Sequence, residues 1–306
     1  MKASLPILVF SLLMLFAQAG CDKIDSIAFR DNTFLEALIE QGVDLDGDGL
    51  ISPDEAEQIT RLNVAGDSIY NLSGIEAFVN LDTLICSSNL LRRLDVSMNT
   101  SLVYLGCSHN DLTELDVSMN TALVYLGSSY NPLSTLDLSN NNELTGLYLE
   151  GCQITSLDLS NLKLLKKLNC GWNDLTALDL SGNVALENLH CSANQITMLD
   201  LSNNQVLTDL QCSLNPLSTL DVSENTDLIR LICEGNQLSV LDVSMNTKLE
   251  WLNCLENQLS QLDLSMNSAL EWMQCGKNQL SSLDVSENPQ LSSLYLGFQD
   301  LYKILL

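Results

Sequence analysis

The chain has 306 residues, long enough for two ordinary domains, and 46% of them are hydrophobic, enough for a sizeable core. It carries 39 acidic and 13 basic residues, a formal net charge of −26 at pH 7. Because phosphate backbones bind to basic faces, this charge excludes nucleic acid as a partner and favours cations instead.

The N-terminal residues resemble an export signal. Lys2 precedes an apolar run over residues 5–17, too short for the roughly 20 residues of a membrane-spanning helix but suited to a signal peptide. We interpret residues 1–20 as that signal. Cleavage after Ala19 would secrete the protein, whereas cleavage before Cys21 would place a lipid on its sulfur. The lipid is favoured because Cys21 is the only cysteine outside the repeats, and it would be the only link to a membrane.

Residues 21–60 are predicted to form a linker and a small helical cap. A short first helix would begin at a capping Asp31 or Asn32 and carry Phe34 among its apolar residues. A second helix would run from Pro53 to about Thr60. Residues 61–80 look like an irregular first coil, so the whole segment would cap the repeat array that follows.

Within this cap, residues 44–55 match the twelve-residue calcium loop of an EF-hand. The predicted ligands of one Ca²⁺ are Asp44, Asp46, Asp48, the carbonyl of Leu50, Ser52 and Glu55. The alternative is an acidic turn that stays solvated. EF-hands usually pair and only one is present, so we expect a structural site with a Kd of ~10⁻⁴ to 10⁻³ M, as in extracellular modules.

A 21-residue repeat determines the fold of residues 81–306. The pair Leu-Asp recurs without insertion from Leu94 to Leu283, in a unit L-x-x-L-x-C-x-x-N-x-L-x-x-L-D-V/L-S-x-N. Each unit should form one coil that buries its apolar side against its neighbours. The segment L-x-C predicts a short strand, and the second half of the unit predicts another extended segment instead of a convex helix. About eleven coils stacked at ~4.8 Å would span on the order of 50 Å.

The unit resembles the leucine-rich-repeat family and is similar to the cysteine-ladder repeats of internalin J. The resemblance implies an α/β-type repeat, a mostly parallel-β leucine-rich-repeat solenoid with the EF-hand-like cap at its N-terminus. It also implies a role in recognition or adhesion at the cell surface, toward a protein or a glycan that the sequence does not identify.

Eight cysteines share one register of the repeat. Leu149 and Leu296 take the same position in other coils, and Ser128 takes it once, so the position should face the core. Export into an oxidising compartment favours disulfides. In-register neighbours lie about one strand spacing apart, however, whereas a disulfide needs Cβ atoms at ~3.8 Å. We interpret them as buried free thiols, with scattered disulfides or metal as alternatives. They are Cys86, Cys107, Cys170, Cys191, Cys212, Cys233, Cys254 and Cys275.

Two polar columns accompany the cysteines. Asparagines in the turn after the strand, such as Asn110, are expected to bond the backbone groups left open there. Ten aspartates, from Asp95 to Asp284, stack at intervals of 21 residues. The favoured interpretation is that each accepts amides of its own turn. The alternative is a cation-binding stripe.

Outward positions beside the strand leucines vary from coil to coil, as a recognition surface should. Aromatic residues there are candidate ligand contacts; the alternative is that they only pair along the sheet. They are Tyr104, Tyr125, Tyr148 and Trp172 toward one end and Trp251, Trp272 and Tyr295 toward the other.

An enzyme is not expected. The two histidines, His109 and His190, lie almost four coils apart, and no triad, P-loop or zinc spacing occurs. The predicted function is recognition or adhesion by an exported protein, held at the cell envelope by lipid or secreted. The alternative is a passive envelope spacer.

Residues 304–306 fall where another L-D-V would begin, and such an open apolar coil predicts weak self-association.

Overall fold

The structure, a computed structural model, describes residues 26–297 together with the backbone of residues 303–305. The predictions of a signal peptide and of a lipid on Cys21 concern residues outside these ranges and stay predictions. The statements below refer to the described residues.

The N-terminal cap is joined to the first coil through one buried carboxylate. Helix α1, Asn32–Glu40, begins at Asp31, whose side chain accepts a hydrogen bond from the Thr33 N–H at 2.9 Å. The other oxygen of Asp31 accepts the N–H groups of Tyr70 and Asn71 at 2.7 and 3.1 Å. Asp31 is therefore the helix cap and also fixes the helix start on the first coil.

Helix α2, Pro53–Ala56, is shorter than predicted. It begins with a capping box between Ser52 and Glu55. The predicted end near Thr60 is wrong, because the Thr60 carbonyl accepts the N–H groups of Asp82 and Thr83 at 2.8 and 3.1 Å. The chain must already be extended there in order to join the next coil.

Twelve strands of three residues form one parallel sheet along one side of the solenoid, in chain order. A 3₁₀ helix, Ile75–Ala77, interrupts the first coil. The sheet strands are β1 Arg61–Asn63, β2 Thr83–Ile85, β3 Tyr104–Gly106, β4 Tyr125–Gly127, β5 Gly146–Tyr148, β6 Lys167–Asn169, β7 Asn188–His190, β8 Asp209–Gln211, β9 Arg230–Ile232, β10 Trp251–Asn253, β11 Trp272–Gln274 and β13 Ser293–Tyr295. Two further strands, β12 Ser282–Asp284 and β14 Lys303–Leu305, pair with each other.

The pairing register confirms the predicted solenoid. From β2 to β13, each residue pairs with the one 21 positions later, as Tyr104 does with Tyr125. In the described coils from residue 81 on, the second half of the unit contains turns and extended residues, with one bridge between Asp95 and Asp116 and the strand β12, and it forms no helix there. The fold is thus a slim parallel-β leucine-rich-repeat solenoid of about eleven turns.

The cysteine register faces the core, as predicted. All eight side chains are fully buried, in line with the strand leucines. Seven of them, from Cys86 to Cys254, are free thiols. Desolvation raises the pKa of Cys107 to about 12, and the same cause raises that of Cys212 well above its ordinary value. Thiolates are therefore scarce at neutral pH, and these thiols act as small apolar side chains.

Two columns of asparagine amides close the corners of the coils. Asn110 confirms the predicted column: its Nδ2 donates to the Cys86 and Cys107 carbonyls, both at 3.0 Å, and its Oδ1 accepts the Leu91 N–H at 3.0 Å. A second asparagine column, for which the sequence predicts no role, is more deeply buried. There Asn120 donates to the Val96 and Asn99 carbonyls at 3.0 and 2.9 Å.

The repeat register continues into the C-terminal strand. Ile304 pairs with Leu283, and Leu305 pairs with Asp284, which places them where the next L-D-V begins. That expectation is confirmed for residues 304 and 305, and Leu306 lies outside the described residues. Self-association through this end stays a prediction.

Replacing one ladder cysteine tests the core packing. Cys212→Ser should lower the free energy of unfolding by on the order of 1–3 kcal/mol, because it buries a hydroxyl among apolar neighbours. Cys212→Val should cost less, since it stays apolar. Denaturant unfolding of both variants measures the effect; midpoints equal to the wild-type midpoint would contradict a buried apolar register.

Candidate recognition face and candidate metal loop

The outward side of the sheet carries two aromatic clusters. In the tyrosine stack, the rings of Tyr104 and Tyr125 are parallel with centroids 4.1 Å apart, and Tyr148 lies 5.1 Å from Tyr125. In the tryptophan stack, Trp251 and Trp272 are also 4.1 Å apart, with Tyr295 at 5.5 Å from Trp272. The structure therefore brings together six of the seven aromatic residues singled out in the sequence.

Stacking leaves mainly the ring edges open to a partner. Within each stack, neighbouring rings cover one another along the solenoid axis, and the Arg230 guanidinium lies 5.6 Å from the Trp251 ring centroid. The Tyr125 ring also leans over Gly127, where an added Cβ would come within 3.1 Å of it. The clusters thus form ridges with exposed edges instead of open aromatic platforms.

Trp172 does not join the tyrosine stack. It lies in the turn after β6, two residues beyond the ladder Cys170, with a left-handed backbone (φ +55°) and 60% of its surface exposed. The strand-face prediction for Trp172 is therefore wrong, because its register belongs to the turn that follows the strand.

That turn register is left-handed in ten successive coils, yet glycine occupies it only at Gly151 and Gly235. Next to each glycine, the preceding coil carries a large side chain: an added Cβ would come 2.9 Å from Tyr130 at Gly151 and 2.6 Å from Leu214 at Gly235. The rim formed by Tyr130, Trp172 and Leu214 was missed in the sequence, although its alternation of large and small residues was visible there. The register comprises Ser88, His109, Tyr130, Gly151, Trp172, Ala193, Leu214, Gly235, Glu256 and Lys277.

The sheet face differs in charge from the rest of the molecule. The twelve strands of the sheet contain three basic residues, Arg61, Lys167 and Arg230, and one acidic residue, Asp209, against −26 for the whole chain. Between the two stacks lies a shallow polar hollow that includes Lys167, His190 and Asp209. Desolvation lowers the pKa of His190, which favours its neutral form at pH 7.

The aspartate column serves the turns, as favoured from the sequence. Each carboxylate accepts the N–H of the serine two residues later, as Asp95 does from Ser97 at 3.0 Å. The Ser97 hydroxyl donates to the same Asp95 oxygen at 2.7 Å, and the hydroxyl and the N–H together hold the pKa of Asp95 below its ordinary value. Within the described ranges, the only acidic group that converges closely enough to hold a metal ion is Asp44, Asp46 and Asp48.

In that group, the donor atoms all lie within 4.8 Å of one another. Asp44 accepts the N–H groups of Gly47 and Gly49 at 2.8 and 2.9 Å, which curls the loop around its first carboxylate. Both glycines have left-handed φ angles, of +75° and +83°, a conformation that glycine adopts without a Cβ clash.

Glu55 joins the two ends of the same loop. Its Oε1 accepts the Leu45 N–H at 2.7 Å, and its Oε2 accepts the Ser52 N–H at 2.8 Å. The bond from Ser52 is the largest cause of a lowered pKa for Glu55. Between them, the buried Ile51 accepts the Ile27 N–H at 2.8 Å. The loop is thus anchored at its end and middle, and its oxygen donors are the hard ligands that Ca²⁺ prefers.

Comparison with known proteins shows which solved structures this chain resembles. No protein-family model and no curated protein matches the chain, but solved structures do. The functional domain of internalin J (InlJ) from Listeria monocytogenes, which includes a cysteine ladder, is 32% identical over 91% of this chain and 73% of that one, with a TM-score of 0.72. An internalin (InlF) from L. monocytogenes strain 4b F2365 is 22% identical over 90% and 95%, with a TM-score of 0.77. A leucine-rich-repeat protein of Leptospira interrogans is 18% identical over 88% and 86%, with a TM-score of 0.66.

The solenoid therefore defines a leucine-rich-repeat protein. Within that class, the chain belongs to the internalin family, in its cysteine-ladder form. This class of fold supports protein–protein recognition in general and is a non-enzymatic class. No helix within the described residues is long and apolar enough to cross a membrane.

The left-handed rim can be tested without a ligand. Trp172→Gly should unfold with a free energy about 1 kcal/mol higher than Trp172→Ala, because alanine keeps the cost of a left-handed backbone and glycine removes it. Thermal or denaturant unfolding gives the difference. As a control, Val240 is exposed and lies outside this register. There the alanine variant should be more stable than the glycine variant. A glycine variant at 172 that is less stable than the alanine variant would contradict the strain.

Proposed function

We propose that this protein recognises a protein partner through the outward side of its sheet, as an exported protein of the cell surface. The observation that carries the proposal is the contrast between this face and the rest of the molecule. Two aromatic stacks flank a polar hollow, and the strands that bear them are nearly neutral on a chain of charge −26. Depletion of charge with enrichment of aromatic residues is typical of interface centres.

A protein is favoured over a glycan because of how the rings are oriented. Sugars stack on open aromatic faces, but the faces within each stack are covered by the neighbouring ring or, at Trp251, by Arg230. Ridges of ring edges with a polar hollow between them fit a shaped protein surface better. A passive envelope spacer would have no need for exposed tryptophan, which makes that alternative weaker.

The double variant Trp251→Ala, Trp272→Ala tests the face. For a partner captured with the mature protein, we expect affinity to fall at least about tenfold, because exposed tryptophans at interface centres are typical hot spots. Titration calorimetry measures the affinity, and an unchanged far-UV spectrum shows that the fold is kept.

The matched control is Val240→Ala with Met198→Ala, which removes two exposed apolar side chains outside the sheet strands. The control should bind like the wild-type protein. If the control loses as much affinity as the tryptophan variant, or if the tryptophan variant binds normally, the recognition face lies elsewhere.

We further propose that residues 44–55 bind one Ca²⁺ and that the ion stabilises the cap. Asp44, Asp46, Asp48, the carbonyl of Leu50, Ser52 and Glu55 would be its ligands. Support comes from the convergence of the three aspartates and from the hydrogen bonds that already curl the loop. Because Ile51 of this loop bonds Ile27, ordering the loop would also order the chain entering the cap.

Calorimetry with calcium on the mature protein decides the site. Binding should release measurable heat and, at ten times the Kd, stabilise the fold by about 1.4 kcal/mol. Glu55→Gln should abolish both effects, because an amide cannot chelate with two charged oxygens. Glu57→Gln, two residues further along the chain and outside the proposed ligand set, should abolish neither. Absence of heat and of a melting shift at millimolar calcium would show that the loop is only an acidic turn.

A further inference from the structure

The lateral side of the solenoid carries a basic groove next to the cap. It has a volume of about 530 Å³ and is lined by Arg30, Arg92 and Arg93 together with Tyr70, Glu76 and Asp95 among others. The whole chain has only five arginines. None of these three forms an ion pair with a residue in the described part of the chain, although acids outnumber bases threefold.

The repeat itself provides the comparison for Arg92. The nine later coils have serine or threonine at this position, so the fold does not call for arginine there. They are Thr113, Ser134, Thr155, Thr176, Thr197, Ser218, Ser239, Ser260 and Ser281.

Seven coils further along, a groove at the equivalent repeat positions is acidic instead of basic. Its lining includes Ser239 and Val240 where Arg92 and Arg93 stand, and it carries Asp221 and Asp242 with no basic residue. The groove beside the cap is therefore a local departure from an otherwise acidic side of the solenoid. The departure concerns two consecutive residues of one coil and one residue of the cap.

The cap holds Arg30 at this groove through neighbouring contacts. The Tyr70 hydroxyl donates to the Arg30 carbonyl at 2.9 Å, and the adjacent Asp31 accepts the Tyr70 N–H at 2.7 Å. One oxygen of each acid in the lining is bonded within its own turn: Glu76 accepts the Gly74 N–H at 2.7 Å, and Asp95 accepts the Ser97 N–H. The three arginines of the lining outnumber these two acids. The guanidinium groups are left as the available donors.

From this arrangement we propose that the groove binds a phosphate monoester or diester. Guanidinium groups bind phosphate oxygens through paired, charge-assisted hydrogen bonds. A single carboxylate has only two oxygens and would not engage three guanidinium groups. A long polyanion is disfavoured, because the rest of the chain repels it. The phosphate would belong to a small ester in solution or to a lipid headgroup at a membrane surface, and both present the same group.

The experiment uses the mature protein and a variant whose residues the fold already accepts. Arg92→Ser with Arg93→Val copies the pair found seven coils further along. The control, Arg61→Thr with Lys167→Asn, removes the same charge from the sheet face and copies residues of the next strands. One arm adds millimolar glycerol 3-phosphate and follows the melting midpoint, with citrate as the carboxylate comparison. The other arm measures co-sedimentation with phosphatidylglycerol vesicles and with phosphatidylcholine vesicles.

We expect the wild-type protein and the control to bind in at least one arm, and the groove variant to lose about tenfold or more in affinity. Binding to phosphatidylglycerol vesicles alone identifies a headgroup as the source, and a response to glycerol 3-phosphate identifies a small ester. No binding in either arm, equal binding by the groove variant, equal loss by the control, or an equal effect of citrate would each overturn the proposal.

Discussion

Backbone groups at the corners of each coil must find partners, and asparagine side chains supply them. An amide at each corner donates to carbonyls of its own coil and of the preceding one, as Asn110 does to Cys107 and Cys86. An unpaired buried carbonyl costs about as much as a lost hydrogen bond. A coil with an inserted residue would break such bonds on both sides, which explains a period that holds at 21 residues along the array. The sheet, the thiol column and the slim cross-section follow from this spacing.

The repeated leucine, cysteine and asparagine positions are needed to hold each coil together. Binding to a partner must therefore use the other positions of the repeat. The free positions point outward from the strand, occupy the left-handed turn, or line the lateral side of the solenoid. The residues at one repeat position can be compared from coil to coil. A residue that differs from the others at its position, although the fold does not require the difference, is a candidate for a binding role. Trp251 and Trp272 on the sheet, Trp172 in the turn and Arg92 in the lateral groove are such departures.

The sequence predicted structure well where the same residue type recurs at intervals of 21 residues. The solenoid, the inward cysteines and the turn aspartates could each be predicted because the same residue recurs in many coils, the aspartate in ten and the cysteine in eight. Single events were harder. The end of α2 depends on Thr60 bonding the next coil, and the place of Trp172 depends on a register offset of two residues from Cys170. In the second asparagine column the amide N–H groups make the hydrogen bonds, and the Oδ1 atoms have no partner among the described residues. The presence of asparagine at a repeat position does not reveal which of its atoms is bonded.

Charge divides the surface of this solenoid into distinct sides. The hydroxyl and the N–H of the following serine hold the pKa values of turn aspartates such as Asp95 and Asp242 below the ordinary value, so these carboxylates stay ionised and stabilise the turns at neutral pH. That contribution is lost as the pH falls through the lowered pKa values. The same carboxylates concentrate negative charge on the turn side, while the sheet strands are nearly neutral and the groove beside the cap is basic. A net charge of −26 therefore describes no single surface. A partner approaching along the sheet meets aromatic ridges with little repulsion, whereas one approaching the turn side meets a row of fixed carboxylates.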